Sequence, residues 1–219
     1  NDTTATSQTI ATTTPPQEKM KTGAIDSLFP ATLSWSYPES WSLQSEGHGP
    51  HSESDTVIQT ITLTSPSKKY QVVYKVGANG GLGGRCDPND SYMGKIQHIS
   101  RKPTTNYPGA VFVEFIVDMH SGANGVINFD GYKYTSALYN NVQQVQQAAV
   151  GSSVCDLYLK NIFKLSDTYN TQLLSAEILL KDIDTANGTL PKDLNVIKNQ
   201  YTTAEYQQAV NILLSTQRK

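Results

Sequence analysis

The residues of this chain with the widest chemical scope crowd into one stretch. Residues 77–90 read GANGGLGGRCDPND, with five glycines, one cysteine and two aspartates directly after a run that reads as a strand. Three chemistries would use such a loop: cradling phosphate, holding calcium, or turning tightly beside a disulfide. A Walker-type phosphate loop follows its glycines with Lys-Ser or Lys-Thr, the lysine reaching the phosphates and the hydroxyl a magnesium ion. Neither dipeptide follows here. The dinucleotide fingerprint needs a glycine where Cys86 stands, three residues after Gly83. Nucleotide chemistry is poorly matched.

Calcium needs oxygen ligands at alternating positions, a glycine at the sixth and a bidentate acid at the twelfth. Asp87, Asn89 and Ser91 begin that pattern, but Tyr92 takes the glycine place and His98 the acid place. A second stretch offers Asp182, Asp184 and Asn187 before Gly188, one residue too widely spaced. Solvated turn residues fit both stretches better. Cys86 and Cys155 are the only two cysteines, and an even count in an exported domain is expected to pair. A disulfide closing so long a loop stabilises by roughly 4 kcal/mol in the chain-entropy account. The glycines would then let the backbone turn beside the bridge. Two free buried thiols in a reducing compartment are the alternative.

Nucleophilic chemistry could draw on either cysteine with His98 or His120, but a disulfide would consume both thiols. No G-x-S-x-G elbow and no H-E-x-x-H is present. His48 and His51 could join Glu46 or Asp55 around a metal, yet they lie in a Gly/Pro loop that does not preorganise them. Trp35 and Trp41 read as sheet-packing residues. Asn1, Asn89 and Asn187 stand in glycosylation sequons. These readings assign no catalytic residue, no metal ligand and no cofactor.

The elements that would position these residues follow from pattern. Of 219 residues, 37% are apolar and 16% charged, with a net charge of −2. That balance argues against an electrostatic nucleic-acid binder. Residues 1–22 are Thr-rich and Pro-containing with few large apolar side chains, and so read as a spacer. Residues 23–219 read as a single domain. Strand-like alternation flanks Tyr37-Pro38, and TVIQTITL and KYQVVYKV (56–63 and 69–76) read as a hairpin. AVFVEFIVDM (110–119) is apolar on nearly both faces and belongs in the middle of a sheet. Ser136 is expected to cap a helix carrying Leu138, Val142, Val145 and Ala149 on one face and ending at Gly151. Residues 154–165 read as strand, while 171–183 fit helix or strand equally. Thr202-x-x-Glu205 predicts a capping box ahead of a stripe of Tyr206, Ala209, Val210, Leu213 and Leu214.

LSWSYPESWSL, the following hairpin and the terminal NILLSTQRK together resemble the PsbP-like family over residues 27–219. Ser40 before Trp41, where that family usually has glycine, and the long cysteine-containing loop depart from its pattern. The resemblance implies an α+β domain with a central antiparallel sheet flanked by helices on both faces, an α/β/α sandwich. It also implies an exported, lipoprotein-like module without a catalytic site. The expected function is a non-enzymatic binding or scaffolding domain, tethered to a membrane through a lipidated residue upstream of this sequence. Its partner would be an extracytoplasmic protein or ligand. The alternatives are an extracytoplasmic hydrolase with a site assembled from distant residues, and a calcium-dependent adhesion module.

Overall fold

The computed structural model describes residues 18–25, 33–48, 58–78, 93–104, 106–107, 109–119, 131–140, 143–155, 163–164, 172–183 and 190–218. Strands β1 (Met20–Ile25), β2 (Leu33–Pro38) and β12 (Gln217–Arg218) form a small sheet in the order β1-β2-β12. A long sheet begins with β3 (Ser42–His48), β4 (Ile58–Thr64), β5 (Tyr70–Ala78) and β11 (Gln172–Leu180). It continues through β8 (Tyr132–Asn140), β7 (Ala110–Asp118), β6 (Met93–Pro103) and β9 (Ser153–Cys155), while β10 (Phe163–Lys164) pairs with β11. Every ladder between these strands is antiparallel. Strand pairing starts at Met20, so Met20–Thr22, placed in the spacer by composition, are strand.

The double apolar character of β7 explains its place between two cores. Phe112 and Ile116 join Val72, Tyr74, Leu138 and Ile178 on one face of the long sheet. Val113, Phe115 and Val117 join Ile96, Ala137 and Tyr139 on the other. A strand buried on both faces shows no polar alternation, as β7 does not. In β6 the register shifts between Ile96, opposite Val117, and His98, opposite Ile116. Residues two apart on a regular strand share a face. The extra residue at this bulge turns His98 to the face opposite Ile96, beside Tyr201.

The ladder is weakest where β11 meets β8, through the single pair Glu177 and Ala137. Three residues further along β11, the Leu180 amide donates to the Tyr134 hydroxyl at 2.9 Å. A side chain there takes over from the backbone carbonyl that a continuing ladder would present.

The expected α/β/α sandwich does not form. The protein is mostly strand, and the helices among the described residues are α1 (Gln143–Gln147), α2 (Leu194–Tyr201) and α3 (Ala204–Leu214). Ile197 and Tyr201 of α2 and Tyr206, Ala209, Val210 and Leu213 of α3 pack into the first core, together with Leu33, Trp35 and Tyr37 of β2. The opposite core receives only Val145 of α1, with Ala148 and Leu190 alongside. Among the described residues, α2 and α3 cover one face, and the other receives only the short α1. Of the predicted helix from Ser136 to Gly151, the described residues keep only α1 (Gln143–Gln147), because the first residues are strand. Thr135 to Tyr139 are all buried between β7 and β11, and burial on both faces outweighs a 3.6-residue coincidence of apolar positions. Residues 172–180 resolve as strand β11, paired along its whole length with β5.

The C-terminal helix forms as its apolar stripe implies, with the cap one residue later than expected. Thr203 is the N-cap, its hydroxyl accepting from the Tyr206 amide, while Thr202 closes α2. Glu205 does not complete a capping box. Its carboxylate instead accepts from the Ser67 amide at 3.2 Å and contacts the Ser67 hydroxyl in the β4–β5 turn. In the small sheet, Trp35 faces Gly23 across the ladder. A Cβ on Gly23 would sit 2.5 Å from the indole Nε1, so only glycine lets the two strands close. The indole stacks on Tyr74 at 4.0 Å, which joins the small sheet to the long one.

Candidate functional site

The structure scatters the chemical candidates of the sequence. Cys155 lies in β9 opposite Met93. Cys86, Asp87, Asn89, Ser91, His120, Asp184, Asn187, His51 and Asp55 lie outside the described residues. Asp182 is ion-paired with Lys69 at 3.1 Å, which holds the exposed Lys69 ammonium above its usual range. Glu46 and His48 fall on β3, at the edge of the long sheet. Among the described residues no three His, Cys, Asp or Glu side chains converge as a metal would require. Trp41 donates its indole N–H to Gln208 Oε1 at 3.1 Å and braces α3, a packing role.

One constellation does assemble, between β6, β7, β8 and the α2–α3 pair. Glu114, Ser136 and Tyr206 are buried at 5%, 1% and 0% exposure, and Tyr201 is almost as deep. Tyr206 Oη lies 2.7 Å from Glu114 Oε2 and 2.8 Å from Ser136 Oγ. A phenol carries one proton and a carboxylate only accepts. Tyr206 Oη is placed to donate to both acceptors, and its one proton is shared between Glu114 and Ser136. Ser136 Oγ in turn donates to Tyr201 Oη at 3.5 Å. The hydroxyls of Tyr206 and Ser136 thus link Glu114 to Tyr201 in one buried chain.

The rings reinforce this order. Tyr201 and Tyr206 stack at 4.8 Å, and Tyr70 meets Tyr206 edge-on at 6.1 Å. Tyr70 Oη donates to Gln200 Oε1 at 2.7 Å and accepts from Thr203 Oγ1 at 2.8 Å. Burial drives the Tyr201 and Tyr206 phenols above their usual range, with Glu114 adding to both shifts. Both remain protonated in neutral water. At the open side of the cluster, half-buried His98 lies 5.8 Å from the Tyr201 ring. Desolvation pulls His98 below its ordinary value, Glu114 pulls it up and Lys198 pushes it down further. His98 is the member nearest water, while Glu114, Ser136, Tyr201 and Tyr206 hold one another inside the core.

Sequence reasoning singled out Tyr206 only as part of an apolar stripe and passed over Glu114. One signal was present. Glu114 is a lone carboxylate on the same side of a strand as Phe112 and Ile116, and an acid among core residues demands a partner. Its partner Tyr206 sits 92 residues downstream, and no periodicity joins them.

Comparison of the chain with family models, with curated proteins and with solved structures finds no match in any of the three.

Proposed function

We propose that this chain is an exported, non-enzymatic recognition or scaffolding domain, held away from a membrane by its Thr/Pro-rich N-terminal stretch. One observation carries the reading. The ionisable and hydroxyl groups that the sheet and helices bring together are matched to one another inside the core. Catalytic groups need an open reacting position within about 3 Å of a nucleophile or base. The Glu114–Tyr206 pair instead braces α3 against β7. The spacer composition supports an extracytoplasmic setting, in which Cys86 and Cys155 would pair. Nothing in this proposal depends on the PsbP-like resemblance.

An enzyme built on this fold would run through His98, the one member of the cluster within reach of water and held neutral near pH 7. The test is turnover of a broad panel of hydrolase and transferase substrates by wild type and His98→Gln. No turnover above background is expected from either. Reproducible turnover that His98→Gln abolishes would overturn the proposal.

A further inference from the structure

The two ends of the long sheet differ in how they treat an exposed strand edge. An edge strand offers unpaired N–H and C=O groups to any other strand, and folded proteins commonly blunt it with bulges, lysines, prolines or short covering strands. The β6 end carries several of these devices. β9 covers Met93 to Lys95, and the Ile96 amide donates to the Ser152 carbonyl. The bulge follows at Ile96–His98, and then come Arg101, Lys102 and Pro103.

Among the described residues the β3 end carries none. All seven residues of β3 pair with β4 in unbroken register, and no described residue pairs with its outer edge. Ser42 to Gly47 are exposed on both faces, Leu43 at 38%. The strand holds no lysine, arginine or proline, and Glu46 is its one carboxylate.

We propose that β3 is an interface through which two copies of this chain join edge to edge, extending the long sheet across a two-fold axis at Ser45. The sequence of the strand fits its own inverted copy. With Ser45 opposite Ser45, Leu43 faces Gly47, Gln44 faces Glu46 and Ser42 faces His48, so all seven residues pair and no like charges stand directly opposite. An axis at Glu46 would set two carboxylates face to face, which destabilises cross-strand pairs. An axis at Gln44 would leave Gly47 and His48 unpaired. An isologous contact of this kind closes on itself as a dimer.

The register makes opposite predictions for neighbouring positions. In sedimentation velocity over a concentration series, wild type shows a monomer–dimer equilibrium. Ser45→Lys sets two ammonium groups opposite each other on the axis and weakens the dimer by about tenfold or more, since like charges directly opposite oppose pairing. Gln44→Lys places a lysine opposite Glu46 of the second copy, twice per dimer, and tightens it by about fivefold at low salt. High salt removes that gain. Both positions are exposed, so the thermal midpoint of the dilute monomer stays at the wild-type value. A wild type that stays monomeric at its highest soluble concentration overturns the proposal. So does a dimer that the two lysines affect alike.

Discussion

The two faces of the long sheet satisfy their buried tyrosines in opposite ways. Under α2 and α3, the Tyr206 hydroxyl has both Glu114 and Ser136, and the ring stacks on Tyr201. On the other face Tyr139 is just as buried, packed edge-on to Phe115 at 5.9 Å, and its oxygen has no hydrogen-bond partner among the described residues. Burial pushes the Tyr139 phenol up, with Glu177 adding to the shift and Thr135 slightly opposing it. On the helical face, side chains from several elements match the Tyr206 hydroxyl, while the Trp35 indole N–H has no partner among the described residues. Among the described residues the opposite face is lined mainly by neighbouring strands, with Val145, Ala148 and Leu190 alongside, and a strand can place a partner only at fixed positions.

The largest expected effect lies at the thinly covered end, where β9 is three residues long and carries Cys155 beside Met93. Cys86 stands seven residues before Met93 in the chain, a span that extended backbone could stretch over about 23 Å. A bridge there would tie β9 to the strand it covers. Intact mass with and without reductant should differ by two hydrogens. Reduction should cost up to about 4 kcal/mol in urea unfolding. Two alkylatable thiols in the native, unreduced protein would remove the bridge from the account.

Next in size is the Glu114–Tyr206 pair. Tyr206→Phe leaves a buried carboxylate without its donor and should destabilise by about 1–3 kcal/mol. Glu114→Leu does the reverse and should cost a similar amount. The double variant removes both polar partners and should recover much of the loss, because replacing both groups can be nearly neutral. Additive losses in urea unfolding would mean that the pair does not act as a unit.

Tyr139→Phe carries the opposite sign. It removes a hydroxyl that burial leaves unpaired, so stability should hold or rise by up to about 1 kcal/mol. A loss comparable to that of Tyr206→Phe would show that Tyr139 is bonded in solution and that the two faces are not different in kind.

How much of this was legible in the sequence depends on the range of the cause. The β4–β5 hairpin follows from alternation within a single run and central β7 from a run that is apolar on both faces, and both form. The C-terminal helix follows from a 3.6-residue stripe and forms with its cap shifted by one threonine. The helix expected from Ser136 does not, because strands on either side decide that β8 is extended, and a local pattern contains no information about them. The same limit hid the site. Glu114 looks like an irregularity until Tyr206 is beside it, and His98 faces Tyr201 only because of a bulge that no residue type marks. The glycine-rich loop raised the sharpest chemical question, and apart from Gly77 and Ala78 at the end of β5 it lies outside the described residues.

The smallest effect belongs to His98, at the rim of the helical face. Its neighbours are the Tyr201 ring and Lys198 of α2 and the Glu114 carboxylate of β7. Desolvation is the leading influence and disfavours the imidazolium, with the Lys198 ammonium adding to it and Glu114 only partly opposing. The folded pKa therefore lies below the unfolded value of about 6.5. Below pH 6.5 the unfolded chain binds a proton that the folded chain resists. Stability present above that pH then falls as the pH drops toward the folded value. Half exposure keeps the effect well below that of the buried pair. Urea midpoints of wild type and His98→Gln, taken from pH 7.5 to 5.5, isolate it. The wild type should lose more stability than the variant across that interval, and parallel profiles would mean that α2 does not desolvate His98. A profile in which the wild type gains on the variant as pH falls would reverse the order of influences, placing the Glu114 attraction above burial.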